Sequence, residues 1–257
     1  MLNLKEYFRM KYPILYKFIK FISKVITNPK YFFLRTLTCL VSYNKINSYV
    51  KDAFEFNKNS YIFMRLENII NSRKIKNQFD GKSFAIIGNA ESLLEAQFGK
   101  EIDEHDIVIR INRAKVIDEL SQGSKIDIWA TSFSYDLPPE FNAKYTLWMF
   151  PFNYGDINYP KADKLKGELI LHKYKDWENL KKKLGSVPST GIMVLDFILQ
   201  NADYKKIDMY GFDFFKTKNL YEKRDISGTH HRFDIEKEYI FKLLENNDNI
   251  NLRRKND

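Results

Sequence analysis

From about residue 80 onward, short β-rich apolar runs alternate with longer amphipathic segments, and this alternation limits the fold more than any other feature. The runs are SFAIIGN (83–89), DIVIRIN (106–112), KIDIWAT (125–131), YTLWMF (145–150), ELIL (168–171) and KIDMYGF (206–212). Helical patterning fills 91–97, 175–184, 190–201 and 234–246 between and after them. Strands separated by helices must run parallel, because only a crossover returns the chain to the same sheet edge. The expectation is an α/β domain over 81–257, a Rossmann-like parallel sheet flanked by helices.

Residues 1–80 differ. They hold 15 Lys and Arg against 5 Asp and Glu, whereas the other 177 residues hold 27 against 28, so the whole net charge of +9 arises there. In YPILYKFIKFISKVI, Lys17, Lys20 and Lys24 share one helical face and Ile14, Phe18, Phe21, Ile22 and Ile26 cover much of the rest. Two readings stay open: a helical hairpin packed on the main domain, or a basic surface resting on anionic lipid through residues 1–60. A nucleic-acid arm is disfavoured because Phe and Ile crowd between the charges. No run of 18 apolar residues and no signal-peptide pattern is seen, and Cys39 is the only cysteine, so no intramolecular disulfide can form. The expected setting is cytoplasmic, peripheral on the inner face of a membrane; oligomeric state cannot be read.

Three segments carry the candidate chemistry. IIGNAES stands where the first strand turns into the first helix, with Gly88, Asn89 and Ala90 at the turn. It is not G-x-G-x-x-G, and GKS at 81–83 lacks the upstream glycine of a P-loop, since position 76 is Lys. EIDEHDIVIRINRA (101–114) places Asn112 at the end of the second strand. Within it, Arg110 either faces away or pairs with Asp106, and His105 reads as structural. PSTGIMVLDFILQNADYKKIDMYGFDF (188–214) opens a helix with Ser189 or Thr190 as cap and Gly191 in the first turn, where free amides attract an anion. Near the end, GTHHRFDIEKE (228–238) has His230 and His231 beside each other, with Glu236 five residues after the second. Read alone, they are polar residues before a helix capped by Asp234. His172, after ELIL, has no partner that the sequence identifies.

Taken together, IIGNAESLLEAQFGKEIDEHDIVIRINRA with the following GSKIDI resembles the large sialyl motif of glycosyltransferase family 29. PSTGIMVLDFILQNADYKKIDMYGFDFF resembles its small motif, and His231-x-x-x-x-Glu236 its very small motif. The bacterial family 42 sialyltransferases are a more distant resemblance. The similarity spans residues 83–236 in order. It implies a GT-A-like fold and an inverting sialyltransferase that moves sialic acid from CMP-sialic acid to a glycan hydroxyl. No metal or other cofactor is implied, and no D-x-D carboxylate pair is present.

By resemblance, Asn89 and Asn112 contact CMP together with the Gly88–Ala90 turn. Ser189, Thr190 and Gly191 hold the donor near its cytidine or carboxylate end, Glu236 belongs to the binding set, and His231 is the general base. Imidazole suits that task because it titrates near neutral pH. His230 and Tyr221 are the candidates for hydrogen bonds to the leaving phosphate. Tyr221 falls six residues after Phe215, the spacing of two phosphate-binding tyrosines in family 42, but Phe215 has no hydroxyl. Position 84 is Phe where animal family 29 enzymes have a bridging cysteine. High Lys, Asn, Ile and Phe content points to an AT-rich bacterial genome, hence a surface polysaccharide or lipooligosaccharide acceptor. A donor such as CMP-Kdo, or a non-catalytic nucleotide- or glycan-binding role, are the alternatives.

Overall fold

The computed structural model describes residues 78–113, 115–133, 141–149, 166–214, 217, 219–221 and 231–255, all within the unit Asn71–Asp257. The basic segment assigned to 1–80, apart from its last three residues, lies outside the described residues.

Seven strands are present among them: β1 (Ser83–Ile87), β2 (Ile107–Ile111), β3 (Ile128–Thr131), β4 (Tyr145–Trp148), β5 (Glu168–Leu171), β6 (Lys206–Tyr210) and β7 (Ile250–Arg253). The helices are α1 (Gly99–Asp103), α2 (Glu119–Gln122), α3 (Tyr174–Leu184), α4 (Thr190–Asn201) and α5 (Phe233–Glu245), with a 3₁₀ turn at Glu91–Glu95. The strands form one sheet in the order β5-β4-β3-β2-β1-β6-β7, and every pairing is parallel.

β1 and β2 are apolar along nearly their whole length because both faces of the sheet are covered. Alternate residues then separate two cores. Phe84, Ile86, Ile109, Ile207 and Met209 meet Leu180 and Leu184 of α3, Ile192, Leu195 and Ile198 of α4, and Ile240 of α5. Ala85, Ile87, Val108 and Tyr210 point the other way, onto Leu93 of the 3₁₀ turn and Ile102 of α1.

All six expected strands form, and α3, α4 and α5 start and stop within one residue of expectation. Expected strands that ran through Asn89, Asn112 and Phe212 end earlier, since those residues leave the sheet to build a pocket. The 91–97 helix is a 3₁₀ turn that closes at Glu95. Three elements went unforeseen: α1, α2 and β7. The last is a half-buried edge strand whose sequence, INLR, carries too little apolar alternation to stand out.

Polar residues inside the fold correct or settle several expectations. Arg110 does not pair with Asp106. It donates to the backbone oxygens of Lys125 (2.9 Å) and Gln122 (2.8 Å), and burial pushes its pKa down to about 10 despite nearby Asp103. His105 is structural, held between the Glu101 carbonyl (2.8 Å) and Asp208 of β6 (2.8 Å). Asp208 is buried, which disfavours its charge, but hydrogen bonds from His105, Lys206 and Asn251 outweigh burial and hold it well below the usual carboxylate range. Asp234 is not the cap of α5. The N-cap is Arg232, which pairs with Asp234 at 2.7 Å.

His172, at the end of β5, is 1% exposed, and neither ring nitrogen has a hydrogen-bond partner. Its ring meets Phe197 edge-on at 6.4 Å. Burial, with Lys173 adding to it and the Met149 backbone opposing, pushes its pKa down from 6.5 to about 4. The unfolded chain therefore binds a proton that the folded one resists. This contribution to stability is complete above pH 6.5 and is lost as pH falls toward 4. At pH 5 the wild type should lose about 2 kcal/mol relative to His172→Leu compared with their difference at pH 7.5. Urea denaturation of both proteins at the two pH values checks this. Taking the difference cancels the opposing contribution of Asp196, whose carboxyl burial raises to about 6 against the hydrogen bond from Gln200.

Candidate active site

The chain runs outward from β1 to β5, then returns to place β6 on the other side of β1. Connections leave β1 and β6 in opposite directions, so a crevice opens at their carboxyl ends. There the backbones pass closely. Gly88 N–H donates to the Tyr210 oxygen (2.7 Å), and Ala90 N–H to the Gly211 oxygen (3.2 Å). A Cβ on Gly88 would lie 2.3 Å from the Gly211 oxygen, and one on Gly191 would lie 2.4 Å from the Phe212 ring. Both glycines are required by approach distance.

One pocket at this crevice is lined by Gly88, Asn89, Ala90, Asn112, Ser189, Thr190, Gly191, Tyr221, His231 and Glu236. These are all of the sequence-derived site residues except His230, which with Phe215 lies outside the described residues. Several lining residues were not foreseen, among them Phe133, Phe212, Asp213, Phe214 and Asn219. Phe212, Asp213 and Phe214 stand within the segment read as a motif, at the carboxyl end of β6, and that position was the available signal. Phe133 and Asn219 carry no local signal, because only the tertiary structure brings them to this pocket.

Asn112 has left-handed backbone geometry (φ 55°), which asparagine tolerates better than most residues. Its N–H donates to the Ala130 oxygen (2.8 Å), and its carbonyl accepts from Trp129 Nε1 (2.6 Å). With the backbone held on both sides, Oδ1 is buried without a partner. An unsatisfied buried acceptor costs about 1–3 kcal/mol, so a ligand donor would recover that energy.

Across the pocket, α4 begins without a side-chain cap. Ser189 is its N-cap residue, but Ser189 Oγ donates to Glu236 Oε2 and Ser189 N–H to Glu236 Oε1, both at 2.7 Å. Ser189 thus holds the expected N-cap position, but its side chain makes no capping bond to the helix. The first intrahelical bond is from Met193 N–H to the Ser189 oxygen (3.1 Å). The amides of Thr190, Gly191 and Ile192 therefore lack helical partners at the positive end of the helix, in the pocket wall. Glu236 is 4% exposed. Burial raises its pKa, while the Ser189 hydrogen bonds and His231 oppose the rise. With both oxygens committed to Ser189, Glu236 ties the start of α5 to the start of α4.

His231 stands on the same rim. Its Nδ1 lies 2.9 Å from the Val187 carbonyl oxygen. A carbonyl only accepts, so Nδ1 carries the proton and Nε2 of the neutral ring keeps its lone pair. That tautomer can act as a base. Tyr221 is engaged differently: its hydroxyl donates to the Lys115 carbonyl and accepts from Gln122 Nε2 at 3.3 Å. Burial raises its pKa, so the phenol keeps its proton. Among the described residues, no group of three or more His, Cys, Asp or Glu side chains is arranged to hold a metal ion.

A parallel sheet with a pocket at its switch point, an open helix N-terminus and a histidine on the rim defines a Rossmann-like α/β protein. Residues 36–134 match the model of glycosyltransferase family 29 (sialyltransferase), so the similarity begins well before residue 80. CMP-N-acetylneuraminate-beta-galactosamide-alpha-2,3-sialyltransferase 1 of Gallus gallus is 29% identical over 161 residues, 52% of this chain and 45% of that protein. The Mus musculus protein of the same name is 28% identical over 155 residues, 50% of this chain and 44% of that protein. The chain thus spans about half the length of these curated relatives. A solved structure described as a mammalian sialyltransferase in complex with Gal-beta-1-3GalNAc-ortho-nitrophenol superposes with a TM-score of 0.56. It covers 82% of this chain and 80% of its own at 21% identity, which establishes the fold. Over residues 36–134 the chain is similar to the sialyltransferases of glycosyltransferase family 29.

Proposed function

We propose that the protein transfers sialic acid from CMP-sialic acid to a hydroxyl of a glycan acceptor, with inversion and without a metal ion. The observation that carries this reading is the meeting, in one pocket, of a histidine with free Nε2, the unpaired Asn112 Oδ1 and the open amides of α4. Asn112 Oδ1 accepts from the CMP moiety. The amides of Thr190, Gly191 and Ile192 bind an anionic group of the donor. His231 Nε2 takes the acceptor's hydroxyl proton as its oxygen bonds to the anomeric carbon. The bond to the phosphate oxygen breaks on the opposite face, and CMP leaves with that electron pair.

Further parts of the proposal rest on sequence alone. The bacterial glycan acceptor, a surface polysaccharide or lipooligosaccharide, follows from the AT-rich residue usage. Peripheral membrane attachment follows from the basic amphipathic pattern near the N-terminus. Deleting residues 1–35, which precede the family match, should cost liposome binding and leave transfer to a soluble acceptor intact.

Incubation with CMP-Neu5Ac or CMP-Kdo, with EDTA present and an acceptor glycan supplied, tests the reaction. CMP release from CMP-Neu5Ac that persists in EDTA is the expected outcome. Release only from CMP-Kdo would reassign the donor, and absence of turnover with bound CMP would favour a binding protein.

A further inference from the structure

The geometry points to Gln122 as the residue that positions Tyr221 toward the leaving phosphate, although Gln122 itself does not line the pocket. The inference rests on the donor reading above.

Gln122, the last residue of α2, is 1% exposed. Its amide orientation is fixed by its neighbours. The N–H groups of Ile117 (2.7 Å) and Asp118 (3.1 Å) both donate to one end, which must therefore be Oε1. The other end is Nε2, a donor, and it meets the Tyr221 hydroxyl oxygen at 3.3 Å. The Gln122 backbone oxygen in turn accepts from Arg110 of β2 at 2.8 Å. A buried strand cation thus holds a buried glutamine, which holds both the turn at 117–118 and a tyrosine 99 residues away in sequence.

The donor at Nε2 decides what Tyr221 can do. A hydroxyl whose oxygen already accepts a hydrogen bond sends its proton elsewhere, and here the proton goes to the Lys115 carbonyl. When CMP occupies the pocket, that proton turns from Lys115 to a phosphate oxygen. Gln122 keeps hold of the phenolic oxygen throughout. Tyr221 thereby becomes a directed donor to the phosphate, a task for which Phe215 has no hydroxyl.

Gln122→Glu keeps an acceptor for the Ile117 and Asp118 amides and replaces the donor to Tyr221 by an acceptor oxygen, which draws the phenolic proton away from the phosphate. Tyr221→Phe removes the hydroxyl. Calorimetric titration of the full chain with CMP should show weaker binding in each single variant, about five- to tenfold. The double variant should bind as Tyr221→Phe does, because Gln122 acts through the hydroxyl. A purely structural Gln122 would give effects that add, and this result, or full CMP affinity in Tyr221→Phe, overturns the assignment. If Gln122→Glu fails to melt cooperatively, Gln122→Met replaces it. Its loss in CMP affinity must then be smaller in the Tyr221→Phe background than in wild type, and an equal loss overturns the assignment. Wild-type protein that binds no CMP overturns the donor reading itself, which separates the two failures.

Discussion

Replacing His231 with alanine should lower the rate of sialic acid transfer by a factor of about 10² to 10⁴, the usual contribution of a positioned general base. CMP affinity should remain within about twofold, because the α4 amides and Asn112 are untouched and the ring contributes no donor to the nucleotide in this reading. Single-turnover transfer assays alongside CMP titration check both parts. The expectation depends on a specific atom: Nδ1 is tied to the Val187 carbonyl, and only Nε2 can take a proton. Undiminished transfer by His231→Ala would remove the base from the mechanism. Loss of CMP binding together with transfer would instead show that His231 supports the pocket.

Gly88→Ala should be strongly destabilising, with a loss of about 3 kcal/mol and a fall in melting temperature of roughly 10 °C. The added carbon would sit 2.3 Å from the Gly211 oxygen, and both atoms belong to backbones fixed by adjacent strands. Neither strand can yield without breaking its pairing. Gly81→Ala is the control, since Gly81 has φ of 71° but no atom within 4 Å of its added carbon. Its cost should be that of the left-handed backbone alone, about 1 kcal/mol. Thermal melts of the two variants decide the matter. Equal losses would show that the crossing at Gly88 is looser than its geometry indicates. CMP binding should fall with Gly88→Ala as well, because Asn89 and Ala90 follow directly from the displaced turn.

Much of the pocket wall is legible in the sequence. The turn at Gly88–Ala90, Asn112 at a strand end, the Ser189–Gly191 helix start and His231 before a helix are local patterns, and all of them line one pocket. Side-chain roles were less visible. Ser189 stands at the N-cap, but its side chain bonds to Glu236, 47 residues away, and not to the helix. Glu236 lines the pocket, and each of its oxygens also accepts a hydrogen bond from Ser189. Tyr221 looked like a free phosphate donor, yet its proton rests on Lys115 and its oxygen on Gln122.

The sequence by itself determined the class of fold and the order of its strands along the chain. Periodicity is a local property, and two-sided burial makes each central strand a readable apolar run. Only the tertiary structure decided that β6 lies beside β1, and with it that Gly88 faces Gly211, that the edge strand β7 exists at all, and that Asn112 Oδ1 is left unpaired. Those facts depend on contacts between segments far apart in sequence, where neither propensity nor spacing carries information. The same reason hid Gln122, whose significance comes entirely from the partners that the fold brings to each end of its amide.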